Sequence, residues 1–151
     1  MAEATNMKAK QFLLLSFLFA CVGMTVEIFF TAFYGVFKSI MASEAINWSL
    51  TGKTYVWMFL IYGLIPFFAK TVLHKLHHLH LFLKAAIGVV LIYLVEFIAG
   101  WLLELITGKC PWEYTEGWQI MGYIRLDYAL FWYFFALGVI LLYETLERRM
   151  M

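Results

Sequence analysis

Charge is the scarcest commodity in this chain. Asp, Glu, Lys and Arg make up 14% of its 151 residues, against about a quarter in an ordinary soluble domain. So little charge cannot clothe a water-exposed surface. The net charge of +1 also excludes a nucleic-acid binder, which needs a clustered basic excess to meet phosphates. No Gly-rich strand-to-helix turn of the phosphate-binding kind occurs, so any ATP-driven work would require a second chain to hold the ATP. Cysteine is limited to Cys21, inside an apolar run, and Cys110, inside a polar break. The two belong at different depths, and no disulfide is expected. The four histidines all fall in His74–His80, on the side of the membrane opposite Cys110. No Ser-His-Asp or Cys-His arrangement can be built from them, so no catalytic residue and no cofactor is assigned.

What the chain has in abundance is apolar sequence, 64% of all residues. It gathers into four runs, Phe12–Phe37, Thr54–Leu73, Ala85–Ile106 and about Leu126–Tyr143. Each is close to the roughly 20 residues a helix needs to cross the hydrocarbon core. Runs this long satisfy their backbone groups as helices, not as the ~10-residue alternating strands of a barrel. The expected fold class is therefore all-α, a polytopic membrane protein with four transmembrane helices forming a single domain over residues 1–151. The second span is the weakest, because its uncharged part ends at Ala69 and Lys70 must snorkel to the headgroups.

Cytoplasmic flanks collect Lys and Arg. The N-terminal tail (Lys8, Lys10), the second loop (Lys70, Lys75, Lys84) and the C-terminal tail (Arg148, Arg149) carry seven of them, while the first loop (Lys38, Lys53) and third loop (Lys109, Arg125) carry four. Both termini are expected inside, in the cytoplasmic membrane, with the third loop outside and Cys110 open to thiol reagents there. Lys8, Lys10 and "FLLLSFLFAC" resemble a signal peptide, and "LFAC" resembles a lipoprotein cleavage box. The apolar run, however, continues to Phe37 and Phe19 is bulky for a cleavage site, so the segment is read as the first span. "VEIFFTA" at Val26–Ala32 resembles "VEFIAGW" at Val95–Trp101, and a returning span begins thirty residues after each Glu. Either the chain is a duplicated helical hairpin, or this is the chance likeness common between apolar segments.

Charges inside spans are expensive, which singles out Glu27, Glu96, Glu104 and Asp127. At about 1.5 Å rise per residue, Glu27 lies roughly 26 Å above Lys10, and Glu96 and Glu104 roughly 17 and 29 Å above the start of the third span. Asp127 opens the fourth span from the outer side. Glu96, Gly100 and Glu104 share one helix face, and the glycine leaves room between the two acids for a backbone or a ligand. Around this layer stand Trp48, Trp57, Trp101, Trp112, Trp118 and Tyr114. Two readings follow: an outward-opening acidic and aromatic pocket for a cation or quaternary amine, or acids that pair with Arg125 and hydroxyls only to hold helices together, ringed by ordinary interfacial aromatics. "HKLHHLH" puts His74, His77 and His78 on one face, but membrane di-iron enzymes with "HxxHH" need about twice the four histidines present. A basic turn meeting anionic headgroups is the better reading, and no metal site is assigned.

The ordered set "VEIFFTAF", "WMFLIYG" at Trp57–Gly63, "EFIAG" at Glu96–Gly100, "CPWEY" at Cys110–Tyr114 and "MGYIRLDYALFW" at Met121–Trp132 resembles the transmembrane protein 229 family, whose bacterial relatives are labelled CmpB-like putative ABC-transporter type IV proteins. The family's third-loop motif usually reads Cys-Pro-Trp-Asp-Tyr, with Glu113 here in the Asp place, and Asp127 stands where a Glu is common. Both exchanges preserve charge. The resemblance implies a small multi-pass protein and, from its label, transport. "CPWEY" is read either as an outer re-entrant or lid segment, in which Pro111 ends helix geometry, Trp112 and Tyr114 anchor at the interface and Glu113 adds to the acidic layer, or as a plain loop anchored by its two aromatics.

The expected function is binding or translocation of a small cationic or amphiphilic solute at a site made of Glu27, Trp57, Glu96, Gly100, Glu104, Cys110, Pro111, Trp112, Glu113, Tyr114 and Asp127. The partners expected are the lipid bilayer and either a separate ATPase subunit or further copies of the chain. The alternatives are a structural or accessory membrane subunit and a lipid-headgroup enzyme with Glu96 or Glu27 as acid/base.

Overall fold

Spanning helices need apolar length more than they need any particular pattern, and the computed structural model places four such segments, Ala9–Met41, Val56–Lys75, Leu81–Thr107 and Leu126–Arg149. It describes the backbone of residues 2–150 and the side chains of residues 9–149. Lys8, one of the orientation-setting lysines, lies outside the described side chains. The protein is an all-α polytopic membrane protein. Its chain divides after Pro66 into two helical units.

In the first unit, α1 (Ala2–Met41) runs several residues past both ends of the expected span. Its opening residues Ala2, Glu3, Met7 and Lys8 are good helix formers, so the helix extends beyond its apolar part. After a loop, α2 (Val56–Gly63) returns along α1. The Tyr62 ring lies directly on Gly23, where any Cβ would collide with it, and a Cβ on Gly63 would lie 3.9 Å from the Ala20 Cβ. Small residues let the two backbones come close enough for dispersion contacts, the main attraction between helices in lipid.

The second span was expected as one unbroken helix. It is interrupted at Leu64, after which α3 (Ile65–Lys75) resumes. The cause is Pro66, which has no N–H for the Tyr62 carbonyl and whose ring crowds that oxygen. The chain tightens there instead, and the Leu64 N–H bonds to the Ile61 carbonyl at 3.1 Å.

In the second unit, α4 (Leu81–Thr107) is stopped by Gly108 in the left-handed region, φ 84°, a conformation glycine adopts without strain. Helix geometry therefore ends three residues before Pro111, which was expected to end it. Next come a two-residue antiparallel ribbon, β1 (Gln119–Ile120) with β2 (Ile124–Arg125), then a single 3₁₀ turn Leu126–Tyr128 and α5 (Ala129–Met150). α5 packs back on α4. Ala136 Cβ stands 3.0 Å from where a Cβ on Gly88 would lie, Tyr133 OH donates to the Phe82 carbonyl at 3.3 Å, and Tyr93 OH lies 3.2 and 3.1 Å from the carbonyls of Arg125 and Leu126.

Candidate functional site

Glu27, half-buried on α1, is engaged within the first unit. One of its oxygens accepts hydrogen bonds from Thr54 Oγ1 at 2.9 Å and Tyr62 OH at 3.0 Å. One turn on, Thr31 Oγ1 accepts the Lys53 N–H at 2.8 Å, and its own proton goes to the Lys53 or Glu27 carbonyl, each 3.0 Å away. These bonds form a clasp that fastens the start of the returning chain to α1. Thr31 carried a readable signal, since it follows Glu27 by four residues on the same face. Thr54 and Tyr62 carried none, because their partner is 27 and 35 residues away. Trp57, on the first turn of α2, keeps 42% of its surface exposed.

In the second unit Glu96 is buried on α4, with 5% exposure, and Gly100 one turn later is buried as well. The space that Gly100 leaves is filled by the chain's own loop. Cys110 Sγ lies 3.3 Å and the Tyr123 ring 3.1 Å from its Cβ position. The Tyr123 hydroxyl donates to the carboxylate of Glu104, which is itself exposed. This bond, with partial burial, pushes the hydroxyl up to about 12, because the neutral donor is the form the carboxylate holds. The Tyr123 ring also meets Phe97 edge-on at 5.2 Å.

The "CPWEY" segment is tied to the same tyrosine. Trp112 Nε1–H donates to the Tyr123 carbonyl at 3.1 Å, and the Tyr114 N–H to the Gly122 carbonyl at 2.9 Å. Trp112 is 8% exposed, so it is a core residue of this loop and not the interfacial anchor expected, its one polar atom being satisfied inside the protein. Tyr114 and Pro111 are half-buried, and Glu113 is exposed. Cys110 is buried as well, and burial pushes its thiol up. An outside reagent therefore has little access to it, contrary to what its place in a polar loop suggested.

Asp127 holds Arg125. The Arg125 Nη2 is 2.8 Å from Asp127 Oδ2 and Nε is 3.0 Å from both oxygens, while the Trp118 N–H donates to Oδ1 at 3.2 Å. The guanidinium also stands 4.4 Å over the Tyr128 ring and donates to its hydroxyl. In the histidine turn, His77 Nδ1 lies 3.1 Å from the His74 carbonyl. Among the described residues no three His, Cys, Asp or Glu side chains stand together as a metal-holding group.

Of the sequence-predicted site residues, the second unit thus brings together Gly100, Glu104, Cys110 and Trp112 through Tyr123. Tyr123 itself was not among them. It lay within a motif that drew attention, but nothing local marks a tyrosine that will pack on a glycine 23 positions earlier.

No solved structure matches this chain. The sequence pattern of the family described as Putative ABC-transporter type IV matches residues 14–151, which takes in all four apolar helices apart from the first turns of α1. On that match the chain belongs to the Putative ABC-transporter type IV family.

Proposed function

We propose that this protein binds a small cationic or amphiphilic solute within the membrane and passes it across, with Glu96 as the binding carboxylate and the Cys110–Tyr114 segment as its cover. The observation that carries the reading is the burial of Glu96 in an apolar helix one turn from Gly100, on which Cys110 and Tyr123 rest. An ionised carboxylate in such surroundings is costly without a compensating cation, and a soluble cation is compensation that arrives and leaves. Pro111, Trp112, Glu113 and Tyr114 form the cover, which Tyr123 joins to Glu104. Asp127, in the same unit, completes its acidic and aromatic set. Both termini lie in the cytoplasm. Energy comes from a separate ATPase subunit, as the family's description suggests, or the chain works as a homo-oligomer.

One set of observations favours the second reading, a structural or accessory subunit. Glu27 is held by Thr54 and Tyr62, Glu104 by Tyr123 and Asp127 by Arg125, so each of these acids has a fastening role. Glu96 decides between the readings. Glu96→Gln is nearly isosteric and keeps hydrogen-bonding capacity. We expect it to leave the thermal unfolding midpoint in detergent close to wild type while abolishing binding of tetramethylammonium and choline to the purified protein. Full binding by the Gln variant removes the solute reading and leaves the structural one.

A further inference from the structure

Trp132 on α5 is 6% exposed, and its Nε1–H has no hydrogen-bond acceptor among the described residues. Burying a donor in this way is unfavourable, and phenylalanine would fill the space without that cost. Rings of Phe131 and Phe135 lie 5.0 and 5.7 Å from the indole, so its surroundings are aromatic.

Two contacts bracket Trp132 along the α4–α5 pair. On one side Ala136 meets Gly88, and on the other the Leu126 carbonyl is held by Tyr93 OH. Trp132 lies between Leu126 and Ala136, and Glu96 stands one turn beyond Tyr93. In a helix each Cα–Cβ bond leans toward the helix N-terminus. On antiparallel neighbours, Glu96 therefore leans back toward Tyr93 and Gly88 while Trp132 leans toward Leu126. By this tilt the Cα–Cβ bonds of the two buried residues lean toward one another's level along the α4–α5 pair.

We propose that the Trp132 N–H is a second polar contact of the Glu96 site, and that the solute carries a hydrogen-bond acceptor beside its cationic centre. This makes it an amino alcohol of the choline class and not a bare alkylammonium. The inference rests on the assignment of Glu96 as the cation-binding group. Glu96 takes the charge, the neighbouring rings face the ammonium, and the indole N–H donates to the oxygen two carbons away. The same group occurs free or as a lipid headgroup, and the two sources are separable by probe.

The test uses the full chain in nanodiscs of phosphatidylglycerol, with calorimetric titration of tetramethylammonium, choline and glycerophosphocholine. Wild type is expected to bind choline about tenfold more tightly than tetramethylammonium, the size of one net hydrogen bond in a dry site. Trp132→Phe should lower choline to the tetramethylammonium level, leave tetramethylammonium unchanged and unfold no earlier than wild type. Tighter binding of glycerophosphocholine than of choline assigns the site to a headgroup, and the reverse assigns it to the free amine. Equal binding of choline and tetramethylammonium by wild type overturns the inference without reference to any variant. If Glu96→Gln still abolishes that binding, the cation site itself stands. Binding of both probes that survives Glu96→Gln, or binding of neither by wild type, overturns the underlying assignment and this inference with it.

Discussion

Tyr123 fastens the second unit's loop at three points. Its ring lies on Gly100, its carbonyl accepts the Trp112 indole N–H, and its hydroxyl ends on Glu104. Tyr123→Phe keeps the ring and removes only the last of these bonds, so the cover should loosen without losing its seat. Cys110, buried against the same glycine, reports on this. Its reaction with a maleimide in detergent is expected to be slow in wild type and about tenfold faster in Tyr123→Phe, with a stability loss of about 1 kcal/mol for the lost hydrogen bond. Glu104→Gln retains an acceptor and should fall between the two. An unchanged rate in Tyr123→Phe means the hydroxyl does not hold the cover.

The pairing of α1 with α2 depends on closeness at Gly23, where the Tyr62 ring occupies the place of a side chain. Gly23→Val should force ring and helix apart, costing about 1–3 kcal/mol as overpacking does, and should carry Tyr62 away from Glu27. Gly35→Val is the matched control, since nothing lies within 4 Å of its Cβ position, and should change the thermal midpoint little. Equal effects of the two substitutions would mean that Gly23 matters only through helix propensity. The break at Leu64 is another effect of one residue on an element. Pro66 stood in plain view in the second span, yet hydropathy counts proline as a mild interruption, whereas the missing N–H and the crowded carbonyl act on backbone geometry.

For the whole molecule the Lys/Arg asymmetry predicts which side each loop faces. Cys110 is too buried to report it, so exposed positions must serve. In a background with Cys21 and Cys110 replaced by Ala, Thr115→Cys in the third loop should be labelled by a membrane-impermeant thiol reagent in intact cells. Lys75→Cys in the second loop should be labelled only after permeabilisation. The opposite pattern places the Glu104–Tyr123 contact on the cytoplasmic side and reverses the Lys/Arg argument.

The sequence by itself determined that this is an all-α membrane protein with four spans, because bilayer thickness and the cost of unpaired backbone act on each 20-residue stretch independently. It also marked Glu96 and Glu27 as groups needing an explanation, since charge in an apolar run is a local fact. Only the tertiary structure decided what surrounds them. The clasp on Glu27 joins residues 27 and 35 positions apart, and Tyr123 reaches back 19 to Glu104. Contacts at such separations depend on how helices and loops fold back, which no periodicity encodes. For the same reason Trp112 and Cys110, polar-loop residues by sequence, became buried, and the space beside Gly100 was filled by the chain's own side chains. Trp132 passed as one more aromatic in an apolar run until packing enclosed its N–H without an acceptor. Composition can predict the burial of an indole, but whether its one donor is satisfied depends on which neighbour the fold sets against it.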